Sequence, residues 1–349
     1  MTDKLTIGII GGGMISQIAH LPFYQENHDV HVAAVAESRP SLVDYLRDVI
    51  DVQTVFPDHK DILNNEKIGT VVVIAPRQAV GPLVLEALNA GKNVLTEKPM
   101  AFTLEQAQRQ VQAAKAHDVS YIVGFMKRYD AGIQAAKRCV DNLRVSGRLG
   151  RLQYARFYDF AKSYAHTPPS HKRPEESRTQ RFETWPTSPD WLPERYREAY
   201  AGFINAASHD VNLIRYFFGD KWILRYADAP STGALTAHFH YGDVPVSFEY
   251  AMSESGLWQQ GAEFVFEKGR VGLEIPSPMD TLHVSRVVMD DNSDGYAQEI
   301  LDVPVEWCFK SQAQAFVDHL TTGSPSLTSG EDCLRDLVMT EAIWQKIIE

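Results

Sequence analysis

KLTIGIIGGGMIS, residues 4–16, decides how the rest of the chain is read. Leu5, Ile7, Ile9 and Ile10 make an apolar run of strand character that stops at Gly11, Gly12 and Gly13. Beyond the glycines Ile15, Ile18 and Ala19 recur at helical spacing, with Pro22 in the same register. Strand, glycine turn and helix form the first half of a dinucleotide-binding βαβ unit. Gly11 permits the tight turn, and Gly13 lets backbone N–H groups approach a pyrophosphate at the positive end of a helix opened by Met14 and Ile15. The third small position of G-x-G-x-x-G is Ser16, where close helix–strand packing is the requirement. Standing alone, such a turn is a strand-to-helix corner as readily as a ligand loop, so the downstream sequence has to decide.

The bulk composition narrows the field. At 349 residues the chain can bury two separate cores, and 44% hydrophobic with 23% charged residues describes an ordinary globular protein. A net charge of −11 repels phosphate backbones and anionic lipid, which argues against nucleic-acid and membrane partners. Cys139, Cys308 and Cys333 lie far apart without CxxC spacing and read as buried thiols of a reducing compartment. MTDK runs straight into the first strand and no stretch of eighteen apolar residues follows, so a cytoplasmic protein is expected.

Val30–Ala36 reads as a second buried strand ending at Glu37, 24 residues after Gly13. An acidic side chain there accepts hydrogen bonds from the adenosine ribose and repels a 2′-phosphate, favouring NAD; Arg39, whose guanidinium can pair with that phosphate, keeps NADP open. A solvated strand end is the alternative for Glu37. A helix is expected from Pro40 to Ile50, then strands at 54–56, at TVVVIA (residues 70–75) with Ala75 and Pro76 at its carboxyl end, at 93–96 and at 121–125. Helices at 80–89, closed by Gly91, and from the Thr103/Gln106 capping box to His117 separate them. Alternation at this spacing gives one doubly wound domain over 1–125. Residues 126–349 read as a second α/β domain. A helix at 131–145 and a strand at 152–160 come first. The irregular segment 161–201, rich in proline, arginine and aromatics, is expected to be a lid or a subunit-contact arm. A helix at 203–218 precedes strands at 231–241, 245–252, 262–267, 270–275 and 281–289, joined as antiparallel hairpins, and helices at 312–320 and 332–348 close the chain.

Two constellations carry chemistry. Lys98, between Glu97 and Pro99, lies at the carboxyl end of a Rossmann strand, beside the place for a nicotinamide, where burial would lower its pKa toward proton-transfer range. Taken alone, a surface lysine with a charged neighbour is the commoner case. Asn205 and His209 are i and i+4 on a helix, so both project from one face, while Asp210 and Asn212 point elsewhere. Such a pair can bind and deprotonate a hydroxyl, and a satisfied core histidine is the equal alternative. Met126, Lys127 and Arg128 follow the sixth strand and can wall the nicotinamide end; Trp185, Trp191, Tyr196 and Tyr200 can stack on a sugar but more commonly pack in a core or an interface. His238 and His240 share a strand face without a third ligand pattern, so no metal is expected.

GGGMIS, AGKNVLTEKPMA, GFMKRYD, the Asn205/His209 helix ending in LIRYFFG and the closing FVDHLTTGSPSLTSGEDCLRDL together resemble the glucose–fructose oxidoreductase and inositol dehydrogenase family (Gfo/Idh/MocA). The resemblance spans nearly the whole chain apart from 161–201, and EKP is its specific mark. It implies an N-terminal Rossmann domain and a C-terminal α/β domain with an open, largely antiparallel sheet that often forms a dimer or tetramer interface. It further implies a sugar or cyclitol held between Lys98, the histidine helix and the sheet, with Lys98 as active-site lysine, His209 as catalytic histidine and Asp159 at a site-facing strand position. For Asp159 and for residues 126–128 an ordinary solvated side chain is the alternative. Departures are Asn205 in place of the usual aspartate, Ala207 for glycine, Ala75-Pro76 for Thr-Pro, and Val80 where histidine is usual. The first of these weakens support for an imidazolium and shifts work toward Lys98.

The activity implied is hydride transfer between nicotinamide and a secondary hydroxyl, with Lys98 stabilising the alkoxide, His209 taking the proton and Asn205 orienting the hydroxyl. Two other classes share the fold: an NAD-dependent glycoside hydrolase that oxidises its sugar transiently, and a non-enzymatic dinucleotide-binding sensor.

Overall fold

The computed structural model describes residues 4–161, 170–177, 182–230, 233–252 and 258–349. The chain divides into two compact units: Met1–Phe125 with Pro169–Asp190 and Phe309–Leu337, and Met126–Pro168 with Trp191–Cys308 and Val338–Glu349. The first unit therefore adds two later segments to the expected 1–125 stretch.

In the first unit β1 (Leu5–Ile10), β2 (Val30–Ala36), β3 (Val55–Phe56), β4 (Thr70–Val73), β5 (Asn93–Glu97) and β6 (Tyr121–Gly124) form one sheet in the order β3-β2-β1-β4-β5-β6, every pair parallel. The order reverses between β1 and β4, which opens a crevice at their carboxyl ends. The β4 side chains are fully buried, as expected for a strand covered on both faces. Helices α1 (Leu21–Glu26), α2 (Pro40–Asp48), α3 (His59–Leu63), α4 (Arg77–Asn89) and α5 (Leu104–Ala116) alternate with the strands. The segment after the glycines departs from a plain helix: Ser16–His20 is a π-helical turn, and α1 starts beyond it with Pro22 in its first turn, where the missing N–H costs nothing. At α5 the Thr103 hydroxyl accepts from the Gln106 N–H at 3.2 Å, and the Gln106 side chain accepts from Phe102 N–H at 3.0 Å, one residue before the usual capping-box donor. The core gathers Ile7, Ile9, Val35, Val72, Leu95 and Ile122 from the sheet, and Ala313, Phe316 and Val317 from far along the chain.

The second unit begins with a single 3₁₀ turn (Met126–Tyr129) and α6 (Ala131–Ser146). Its sheet joins β7 (Leu152–Ala161) to β8 (Ile223–Asp228), β9 (Leu235–Tyr241), β10 (Val244–Ala251), β11 (Trp258–Phe266), β12 (Gly269–Glu274), β13 (Arg286–Asp291) and β14 (Ala297–Ile300). The order is β14-β13-β12-β11-β7-β10-β9-β8, antiparallel except for the β7–β10 pair. The long helix α7 (Glu194–Phe218) lays Phe203, Ala207, Asp210 and Phe217 toward the sheet. Phe217 meets Phe157 and Phe264, and Phe203 meets Phe248 and Tyr250, at centroid distances of 4.7–6.2 Å. Tyr196, Tyr200 and Phe203 converge on Trp344, so Tyr196 and Tyr200 serve packing. Helix α8 (Cys308–Thr322) and α9 (Gly330–Ile348) end the chain.

Several expected boundaries move. Helix α7 starts at Glu194, nine residues early: its first two turns are rich in charge, and Tyr196 and Tyr200, the i, i+4 pair on Trp344, lie inside the stretch expected to be irregular. The expected strand at 281–289 begins only at Arg286: the Asp280 carboxylate accepts from Leu282 N–H (3.0 Å) and His283 N–H (3.1 Å), which curls the preceding residues into a turn. Residues 231–232 of the expected strand 231–241, and residues 162–169 and 178–181 of the 161–201 segment, lie outside the described residues. Among the described residues no helix is long and apolar enough to cross a membrane, no group of three potential ligands could hold a metal ion, and none of the cysteines is in a disulfide.

Candidate active site

In the first unit the carboxyl ends of β1, β2, β4 and β5 place the glycine turn, Glu37, Ala75-Pro76 and Lys98 along one sheet edge. Gly11 has φ +105°, and a Cβ there would lie 1.9 Å from the Ile74 carbonyl oxygen, so only glycine lets β1 turn beside β4. A Cβ on Gly13 would meet nothing within 4 Å, and Gly13, Met14 and Ile15 are only half-buried. The backbone at Gly13 thus faces open space at the start of a helical segment, a cradle fit for a pyrophosphate. Glu37 is buried, which removes the solvated-strand-end alternative. Its carboxylate accepts from Gly12 N–H (3.2 Å), Ser38 N–H (2.9 Å) and Arg39 N–H (3.0 Å), and Arg39 binds it in bidentate fashion at 2.9 and 2.7 Å. Arg39, expected to keep a 2′-phosphate site open, is therefore turned onto the chain's own carboxylate. Gly11, Glu37, His59, Ala75 and Phe182 line a narrow pocket at this end.

At the other end of the same edge the Lys98–Pro99 peptide bond is cis and Lys98 is half-buried. The Glu97 carboxylate is fixed from two sides: its Oε2 accepts from Lys98 N–H at 3.3 Å, and its Oε1 shares a 2.8 Å hydrogen bond with buried His20 Nε2. The helical turn after the glycines thereby clamps the EKP corner. His20 escapes sequence reasoning because 77 residues separate it from Glu97. Gln17 escapes it too; its amide donates to the Gly12 carbonyl at 2.8 Å and to the Lys172 carbonyl at 3.2 Å, and its Oε1 accepts from Lys172 N–H at 2.8 Å.

In the second unit Asn205 and His209 share one stripe of α7, half-buried and 6% exposed respectively. Arg128 lies along the continuation of that stripe, donating to the Asn212 carbonyl at 2.9 Å with its guanidinium 5.2 Å from the Tyr216 ring centroid. Met126, Lys127, Arg128 and Asp159 are all buried, so none is the solvated side chain that sequence alone allowed. Strand register explains the polar cluster beside them. Tyr250 of β10 and Gln260 of β11 both pair with Asp159 of β7, so the three side chains share a sheet face, the one α7 covers with Asp210. Lys127 donates to Gln260 Oε1, whose amide donates to Asp210 Oδ1 at 2.7 Å and to Asp159 Oδ2 at 3.4 Å. Burial pushes the Asp210 carboxyl up, only partly offset by the Lys127 charge and by hydrogen bonds from Gln260 and with Asp159. The Tyr250 phenol is likewise pushed up, by burial first and by both carboxyls next.

The Gfo/Idh/MocA oxidoreductase family model, described as an NAD-binding Rossmann fold, matches residues 5–125. Along most of its length the chain is 22% identical to the myo-inositol 2-dehydrogenase of Thermotoga maritima, over 345 residues that cover 94% of this chain and 92% of the relative. Among solved structures, levoglucosan dehydrogenase in complex with NADH and levoglucosan is similar with a TM-score of 0.77 at 17% identity, covering 99% of this chain and 97% of the other. KijD10, a 3-ketoreductase from Actinomadura kijaniata in complex with NADP and TDP-benzene, gives a TM-score of 0.75 at 19% identity over 99% and 98%. At such identities the two structures speak for the fold alone. With its glycine turn shaped for a dinucleotide, residues 5–125 of the chain match the NAD-binding Rossmann segment of the Gfo/Idh/MocA oxidoreductase family.

Proposed function

We propose that the chain is an NAD-dependent dehydrogenase acting on a secondary hydroxyl of a sugar or cyclitol. The observation that carries this reading is Lys98 at the carboxyl end of β5, on the same sheet edge as the glycine turn, held by a corner that His20 and Glu97 fix. Similarity to proteins named for myo-inositol and levoglucosan supports a ring polyol as substrate. When bound, the nicotinamide supplies the hydride acceptor for oxidation and the donor for reduction. The Lys98 ammonium stabilises charge developing on the substrate oxygen. His209 takes the hydroxyl proton, and Asn205, one turn before it, orients the hydroxyl without supplying the negative charge an aspartate would bring. Met126, Arg128 and Asp159 are assigned to substrate contact, and Gly11, Gly13, Met14, Ile15, Glu37, Ala75, Pro76 and Glu97 to the cofactor.

The test is a panel of monosaccharides, cyclitols and anhydrosugars with NAD, followed by absorbance of the reduced cofactor. Lys98→Met should lower turnover of the best substrate by about 10²–10³-fold while leaving NADH affinity nearly unchanged. A variant that keeps near-normal turnover overturns the lysine's role. Tight NADH binding without oxidation of any panel member overturns the dehydrogenase reading in favour of a sensor.

A further inference from the structure

The first unit contains a carboxylate that sequence reasoning had no reason to connect with the cofactor. Residues 170–177 lie against the glycine turn and the start of α2. Lys172 is tied to Gln17 through both of its backbone groups, and Glu175 N–H donates to Ser41 Oγ at 3.1 Å. Glu176 Oε1 then accepts from Ser41 N–H at 2.8 Å and from the Ser41 hydroxyl at 3.0 Å. Ser41 is the second residue of α2, whose N-terminal flank, Arg39, gives no side-chain cap. One of the helix's unsatisfied N–H groups is therefore met by an anion delivered from 135 residues away.

The placement has a consequence for cofactor choice. In a Rossmann domain the residues after β2 meet the adenosine ribose, and a 2′-phosphate is accommodated by a nearby arginine and backbone donors. Here both kinds of donor are already engaged. The Arg39 guanidinium is bound twice by Glu37, and the Ser41 amide and hydroxyl are bound by Glu176. Partial desolvation raises the Glu176 carboxyl but is outweighed by the Ser41 hydrogen bonds and the Arg39 charge, which together hold it below the ordinary range, so it stays an anion at neutral pH. Two carboxylates already offset the Arg39 guanidinium, and a phosphomonoester would bring about −1.5 to −2 of further negative charge.

We propose that Glu176 is a specificity-determining residue for the adenosine 2′ position: it fills, with the chain's own carboxylate, donors that a 2′-phosphate would need, and so makes the site select NAD against NADP. The proposal rests on the glycine turn's binding a dinucleotide and deepens that reading by adding a discriminator outside the Rossmann βαβ unit.

The experiment measures dissociation constants of NADH and NADPH by calorimetry for the intact protein and for Glu176→Gln, Glu176→Lys and Glu175→Gln. The wild type should bind NADH much more tightly than NADPH. Glu176→Gln keeps the acceptor for Ser41 and removes one negative charge; it should narrow the ratio about three- to tenfold at low salt, through tighter NADPH binding. Glu176→Lys should narrow it further, and Glu175→Gln, whose carboxylate faces Lys172, should leave it unchanged. A ratio unmoved by both Glu176 variants, a wild type that binds both cofactors equally, or an equal narrowing in Glu175→Gln overturns the proposal. A wild type that binds neither cofactor overturns the dinucleotide reading itself, and the proposal with it.

Discussion

Trp185→Ala tests whether residues 182–190 are an integral part of the first unit. The Trp185 backbone N–H donates to the Gln78 carbonyl at 3.0 Å, and its indole lies on Gly81 of α4, so close that a Cβ there would come within 2.4 Å of the ring. The residue is 8% exposed. A buried indole removes on the order of 200 Å² from water, which sets an upper bound of about 5 kcal/mol. Truncations of this kind cost about 3–5 kcal/mol, less where neighbours collapse into the gap. The Arg109 guanidinium, 4.8 Å from the ring centroid, is lost as a partner too, for about 0.5–1 kcal/mol. A total near 3–4 kcal/mol is expected. At about 1.4 kcal/mol per decade, that is more than a hundredfold rise in the population with this segment undocked. The assay is limited proteolysis under native conditions, with guanidinium unfolding of the same samples. Cleavage within residues 170–190 should accelerate by that factor if the segment opens locally; if it opens only with the whole unit, the unfolding midpoint should fall instead. Cleavage rate and midpoint both near wild type would refute the packing argument.

Gly81→Ala approaches the same contact from the other side. Alanine should gain about 1 kcal/mol of helix propensity at an interior position, yet a methyl group driven into the Trp185 ring should make the variant less stable by about 1–2 kcal/mol net; a stabilised variant in urea unfolding would show that the ring yields freely. Asp210→Asn addresses the buried carboxyl pair. Because burial raises the Asp210 carboxyl in the folded protein, the native state binds more protons than the unfolded chain between the two titrations. The wild type should therefore lose stability relative to the variant as pH rises from the ordinary aspartate range toward neutrality, and the difference should level off above the folded-state titration. Parallel stability curves across that range would count against a raised Asp210 carboxyl.

Local patterns carried the first sheet almost completely. Buried parallel strands such as Thr70–Val73 are apolar throughout, and Gly11 has to be glycine for steric reasons that act within the β1–β4 pair. The edges of the second sheet were illegible: Ile223–Asp228 is mostly exposed and Ala297–Ile300 wholly so, and both are strands because backbone donors pair with a neighbour, which side-chain period does not record. The same limit applies to the candidate site. Lys98, Asn205 and His209 stand in recognisable strings, but His20–Glu97, Lys127–Gln260 and Ser41–Glu176 join residues 77, 133 and 135 positions apart. Those pairs follow from strand register and from where the 170–177 segment comes to rest, and nothing in the composition of either partner announces the other.

The makeup of the first unit bears on how the protein is made. A ribosome that has finished residue 125 has delivered all six parallel strands, yet Ala313, Phe316 and Val317, which close the hydrophobic cluster over Ile7, Leu95 and Ile122, are still untranslated. The nascent nucleotide-binding half must wait, with greasy surface uncovered, until about 190 further residues have been read, and a transplant of residues 1–125 into another protein would carry that bare patch along.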